Sequence, residues 1–285
     1  LCEGEACITN LTIVHHASWP QTTEVSAQEI NSLGKIGSFV HVDGIVSSAF
    51  RDTTNAGWNW LTLRTPTGSV RAAVTEHDYP LATLLPLIDA EVRLKGITHE
   101  FGAWRKFLGF HVFPFGKDGI VTLQPAPSPF DAPPLKDHRI LHRQQVRGQI
   151  CGSGIDQVSI RDKDNKFLLV RPQDGTARPP VGSTVTISGF VMPAPMGYQL
   201  TEAALRLEAG PSGPPPVAES TDIERMFATQ QGNEIIDAAL YGKLIRLRGM
   251  VANSQDSIRT DGKIHLECGE RAITVDMRHL VKQLI

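Results

Sequence analysis

The chain has 285 residues, 41% hydrophobic and 20% charged, a balance that excludes a disordered or low-complexity protein. Its formal net charge of −2 excludes a uniformly basic surface built for nucleic acid. No apolar run approaches the roughly 18 residues of a membrane-spanning helix, and the longest, 80–88, is interrupted by Pro86.

Elements follow in chain order. Leu11-Thr12-Ile13-Val14 reads as a last strand leading through Ser18-Trp19-Pro20 into a connector. Ser26-Ala27-Gln28-Glu29 is a capping box, and Ile30 and Leu33 continue a helix that stops at Gly34. Alternating apolar residues then predict strands at 39–49, 60–65, 70–76, 90–99 and 108–113, with a closing piece at 120–123 and a short helix within 80–87. Further strands are expected at 145–151, 157–161, 167–171, 183–191 and 198–207. Gly152-Ser153-Gly154 reads as the turn after the first of these. Thr221 or Asp222 starts a helical run through Ile223, Met226 and Phe227, and a second helical piece covers 234–240.

One phrase organises these strands: apolar-x-apolar-x-Gly-x-apolar. It occurs around Gly44, Gly96, Gly148 (shortened), Gly189 and Gly249. Gly44, Gly148 and Gly249 are 104 and 101 residues apart, and Gly96 and Gly189 follow their predecessors by 52 and 41. A two-beat repeat of this period means repeated units. A glycine inside a strand marks a bulge or sharp bend, as at a barrel corner. Five strands per unit with a bent first and fourth, and an insertion between third and fourth, predict tandem OB-like five-stranded barrels, mainly β, with short capping helices. The proline-rich stretches 124–134 and 210–216 predict semi-rigid connectors. The expected organisation is 1–34 as the last strand of a preceding unit with connector and helix, 35–134 and 135–216 as two full units, and 217–285 as a helical connector with an incomplete third unit. A fourth-strand glycine is due about 40–50 residues after Gly249 but the chain runs only 36 more, so it is expected to be a piece of a longer protein.

The pattern Val-Ser-x-x-Glu-Ile, then Leu, Gly and Val-x-Val-x-Gly-x-Val (25–46), the fourth-strand phrase (181–191) and the proline-rich exit (209–216) resemble the OB-like repeats in the extracytoplasmic sensor regions of bacterial sensor histidine kinases. The resemblance covers most of the chain. It implies a non-enzymatic, periplasmic input region of a membrane-anchored two-component signalling protein, with membrane contact and any kinase activity in segments outside this chain.

OB barrels bind on one face through the loops after their first and fourth strands. In the first unit these loops are expected to carry Arg51, Trp58, Asn59 and Trp60, and His99, Trp104 and Arg105, which hold three of the four tryptophans. Such rings either stack on sugars, aromatic ligands or bases, or plug the barrel ends. In the second unit Met192, Met196 and Tyr198 are partner-contact candidates, or belong to a packed crossover between barrels. The partner is read as a small molecule, a glycan or a periplasmic protein. Nucleic acid is disfavoured by the charge balance and by Asp43, Glu76, Asp78 and Glu100 near the first barrel, although an OB-type nucleic-acid binder and a glycan-binding or spacer module are the alternatives.

No catalytic residues, cofactor or metal site is predicted. No Gly-x-Ser-x-Gly, P-loop or dinucleotide fingerprint occurs. His138 and His142 have helical spacing but no metalloprotease pattern and read as a solvated loop, and Asp162, Asp164 and Asn165 read as a hairpin turn rather than a calcium loop. Cys2 and Cys7 are either a small disulfide or two free thiols, and Cys151 and Cys268 read as core.

Overall fold

The computed structural model describes residues 20–32, 36–103, 106–154, 156–173, 175–194, 197–209, 214, 217–230, 233–240, 243–253, 260 and 262–276. Two compact units emerge: one runs to Gln124 without Ile88–Ala90, and the other takes Ile88–Ala90 together with the chain from Pro125 onward. The expectations for 11–19, Leu33, Gly34, Cys2, Cys7, Trp104, Arg105 and Met196 fall outside the described residues.

The first unit opens with β1 (Thr23–Glu24) and α1 (Ala27–Ile30), whose Ser26 and Glu29 form the capping box. Next come β2 (Phe39–Arg51), β3 (Trp58–Thr65), β4 (Gly68–Thr75), α2 (Leu81–Leu84), β5 (Glu91–Ala103), β6 (Lys106–Pro114) and β7 (Ile120–Gln124). Strands β2-β3-β4-β6-β5 close through a β2–β5 pairing, and β4 and β6 run parallel. In the second unit β8 (Gln144–Ser153), β9 (Val158–Asp162), β10 (Phe167–Pro172), β11 (Thr184–Ala194) and β12 (Gly197–Leu207) close in the same order, with β10 and β12 parallel. An antiparallel meander whose third strand pairs in parallel with the fifth is the OB barrel.

The repeated glycines sit where a strand changes partner. The first half of β2 pairs with β5 and the second with β3, and Gly44 lies at the switch. Gly96 and Gly148 take the same place in β5 and β8, and Gly189 marks the end of the β11 pairing with β8 and a register shift against β12. At each, the strand bends sharply enough to bring a facing carbonyl onto the glycine. A Cβ would stand 2.8 Å from the Arg64 carbonyl oxygen at Gly44, 2.7 Å from that of Arg161 at Gly148, and 2.9 Å from that of Thr201 at Gly189. At Gly96 it would collide with the Phe113 carbonyl.

Inward residues at every second position fill each barrel. Val40, Val42, Leu61, Leu63, Ala72, Val92, Leu94 and Val112 are buried in the first. Ile150, Val158, Ile160, Val170, Val185, Ile187, Val191, Leu200 and Ala203 form the second core.

A clasp invisible in the sequence precedes the first glycine of each repeat, Gly44, Gly148 and Gly249. The Val25 N–H donates to the His41 carbonyl at 3.0 Å, Leu135 to Gln145 at 2.8 Å and Thr221 to Arg246 at 3.2 Å. Each acceptor lies three residues before its phrase glycine. Around the clasp the chain pairs in parallel: β1 with β2, Pro134 with Gln145, and β13 (Glu219–Ser220) with β16 (Ile245–Arg246).

Three local expectations are corrected. The run at 221–240 is one 3₁₀ turn (Ile223–Met226), a hairpin of β14 (Phe227–Gln230) and β15 (Asn233–Ile236), and a second 3₁₀ turn (Ala238–Leu240). Ile223, Met226 and Phe227 satisfy a single turn, of which Ile223 and Met226 are buried, and the chain then finds strand partners. Gly152 is not a turn residue but sits at a bulge within β8. The 192–198 segment is the β11–β12 hairpin, with Pro193 opposite Tyr198, and not a crossover between barrels. His138 and His142 lie in a loop, in line with the sequence reading. The last described strands, β17 (Met250–Val251), β18 (Lys263–Cys268) and β19 (Arg271–Asp276), form an antiparallel meander. Among the described residues no helix is long and apolar enough to cross a membrane.

Candidate ligand-binding face of the first barrel

Trp58, Asn59 and Trp60 belong to β3, and Arg51 and His99 to β2 and β5, rather than to the loops. The strand period then separates their roles. Asn59 and Leu61 point inward and are buried, while Trp58 and Trp60 point outward and are half-buried.

Asn59 is a structural residue. Its Nδ2 donates to the Tyr79 carbonyl at 2.9 Å and to the Glu76 carboxylate. Glu76 also takes the Leu81 N–H at 3.2 Å and pairs with Arg51 at 2.8 Å. These donors, Asn59 foremost, hold the Glu76 carboxyl below its ordinary value. Arg51 is therefore held in an ion pair at a half-exposed position.

Asp52 organises the β2–β3 loop. One carboxylate oxygen accepts from the Thr54 N–H and hydroxyl, both at 2.7 Å, and from the Asn55 N–H at 3.2 Å. The other accepts the Trp60 indole N–H at 2.9 Å, which fixes the ring. The Thr54 hydroxyl and the Trp60 indole lead the bonds that hold the Asp52 carboxyl far below the carboxylate range.

Trp60 meets His111 edge-on, with centroids 5.6 Å apart and planes at 75°. His111 meets Phe113 at 4.5 Å and 78°. Phe113 also contacts Trp58 and His99, each at 5.6 Å. Ala73, opposite Trp60 in β4, leaves the gap these rings cross. Phe50 lies opposite Trp60 on β2 and is 46% exposed. The outer face from β2 to β5 is thus a continuous aromatic platform. His111 is 3% exposed beneath it, and burial, helped by the nearby His99, pushes its pKa down from 6.5 to about 4.

Sequence reasoning found Trp58, Trp60 and His99 and missed Phe50, His111 and Phe113. The signal was the alternation of β6, where Phe110 and Val112 face in and His111 and Phe113 face out. In the second unit Met192 and Tyr198 flank their hairpin and are partly exposed, and Tyr198 stacks on His138 at 5.4 Å. Chemically, the first-barrel face offers π surfaces and a buried neutral imidazole. Among the described residues no cluster of three or more metal-ligating side chains occurs.

No family model matches the chain, and no curated protein does. Among solved structures, asparaginyl-tRNA synthetase from Pyrococcus horikoshii is 22% identical over 40% of this chain and 25% of its own, with a TM-score of 0.30. The OB domain of MM0293 from Methanosarcina mazei is 15% identical over 42% of this chain and 96% of its own, at 0.28. The p204 HINb domain is 10% identical over 62% of this chain and 100% of its own, at 0.28. The chain spans a quarter of the synthetase it matches, and at these values the matches assign it no function.

Proposed function

We propose that this chain is a non-enzymatic binding region and that the aromatic face of its first barrel holds a ring-bearing, uncharged ligand, a glycan or a small aromatic molecule. The observation that carries this reading is the platform of Trp58, Phe113, His111 and Trp60. Flat rings bind by stacking at about 1–3 kcal/mol per ring. Of the neighbouring charges, Arg51 pairs with Glu76 and Asp52 with its loop and Trp60, while Arg71, opposite His111 on β4, is exposed without a carboxylate partner among the described residues. A phosphate backbone would need a row of unpaired cations there rather than one. In the signalling context implied by the sensor-like repeats, occupancy of this face is the input of a periplasmic receptor.

The test is a tryptophan-fluorescence titration of the whole chain with cello-, chito- and malto-hexaoses and with single-stranded oligonucleotide. Saturable binding of a sugar, weakened at least tenfold by Trp58→Ala, supports the reading. Salt-sensitive binding of the oligonucleotide alone overturns it. Antibody detection of the protein in fractionated source cells tests the location, and a cytosolic signal overturns the receptor reading.

A further inference from the structure

We infer that the mouth of the second barrel is a separate binding site for a small anion with an apolar body, an acyl or aryl carboxylate, sulfate or phosphate. A cavity of about 1060 Å³ opens there, at the upper end of small-ligand sites. Its floor is apolar: Leu135, Val146 and Leu168 line it and pack directly on the barrel core. Its rim is cationic, with Lys136 from the connector, Arg147 on β8, Arg161 on β9, and Lys163 and Lys166 on the β9–β10 turn. This concentration of positive charge stands out in a chain of net charge −2.

The two acids of the lining pair with only one cation of the rim. The Asp162 carboxylate accepts the N–H groups of Asp164 and Lys166, each at 2.8 Å, and so closes the turn. Asp164 lies 3.4 Å from Lys163. Arg161 donates to the Gln149 side chain at 3.0 Å. Lys136, Arg147 and Lys166 are exposed and lack a carboxylate partner among the described residues.

The rim is also built rather than incidental. Gln144, fully buried, accepts the Lys136 N–H at 2.6 Å and donates to the Asp137 carbonyl at 2.6 Å, fixing the backbone under Lys136. Asn165, at φ 58°, makes the tight turn that carries Lys163 and Lys166 to the same edge. An extended polyanion needs successive stacking surfaces. Here Tyr198 is engaged by His138, which leaves Phe167 as the aromatic ring free to stack in the described lining. An apolar floor under a cationic rim fits an amphiphilic anion instead.

The probe is 1-anilinonaphthalene-8-sulfonate, titrated into the whole chain and read by its fluorescence. One saturable site is expected, weakened at least tenfold in the Arg147→Gln/Lys166→Gln variant, both exposed positions that leave the core intact. Laurate should displace the dye and methyl laurate should not. Trp60→Ala should leave the dye affinity unchanged, which separates this site from the first-barrel face. The proposal is overturned by the absence of saturable binding, by equal affinity in the charge variant, by equal displacement with methyl laurate, by loss of the dye in Trp60→Ala, or by displacement with single-stranded oligonucleotide but not laurate.

Discussion

His111 couples the aromatic platform to pH. Its imidazole titrates near 6.5 in an unfolded chain and at about 4 in the folded one, because burial disfavours the cation. Between these values the unfolded state binds more protons, so stability rises with pH across the window and is lost as pH falls from about 6.5 to about 4. At about 1.4 kcal/mol per pH unit the loss approaches roughly 3 kcal/mol. Urea unfolding of wild type and His111→Phe, from pH 7 to pH 4, should show the wild type losing this much more than the variant. Parallel profiles would remove His111 as the cause. Asp89 makes a second residue-scale case. It sits in the left-handed region at φ 77° and is 2% exposed. Its carboxylate accepts the Arg143 N–H at 3.2 Å and faces the His142 Nδ1 at 3.0 Å. The Arg143 guanidinium is itself buried over the Phe190 ring, and burial lowers its pKa while Asp89 and Glu202 oppose that shift. Asp89→Gly keeps the backbone conformation and removes the compensating charge. With the buried Arg143 N–H left unpaired, it should cost roughly 1–3 kcal/mol, read from the denaturant midpoint, and a cost under about 0.5 kcal/mol would show the carboxylate to be dispensable.

At the scale of elements, the bent strands were legible because sterics wrote them into the sequence. A carbonyl within 3 Å of a Cβ position admits only glycine, so each barrel corner leaves a glycine at a fixed place in an apolar alternation. Gly148→Ala therefore has to move the Arg161 carbonyl or break the strand pairing, at about 1–3 kcal/mol. Gly152 provides the control within the same strand. Its nearest neighbour would be the Ser159 Cβ at 4.0 Å, an ordinary contact. Gly152→Ala should be neutral or stabilising by up to about 1 kcal/mol through the unfolded chain. Equal destabilisation by the two substitutions would refute the corner argument. The aromatic platform was only half legible. Trp58 and Trp60 drew attention as rare residues, but their partners come from β6, which joins β4 through a parallel pairing about 40 residues distant in sequence. No local period records such a pairing. The hairpin at 227–236 escapes a sequence reading for a local reason: spacing at i and i+3 fits one helical turn as well as a longer helix.

For the whole molecule, the repeat has a consequence beyond the two closed barrels. Residues 217–276 open as the barrels do, with the Thr221 to Arg246 clasp followed three residues later by Gly249 and then by the meander of β17, β18 and β19. A Cβ on Gly249 would stand 2.5 Å from the Glu267 carbonyl and 2.7 Å from the Leu266 Cγ. The same corner geometry thus recurs where the surrounding strands are far more exposed, as at Met250 and Val251. If the corner rather than the closed core sets the requirement for glycine, Gly249→Ala should disrupt the β17–β18 pairing while both barrels stay folded. Amide hydrogen exchange should then show protection lost at Ala252, which bonds to the His265 carbonyl at 2.9 Å, and retained at Ile150 and Thr98, which bond to the Ser183 and Ser38 carbonyls at 2.9 and 3.0 Å. Unchanged protection at Ala252 would mean that this strand bends without the constraint that governs Gly44 and Gly148.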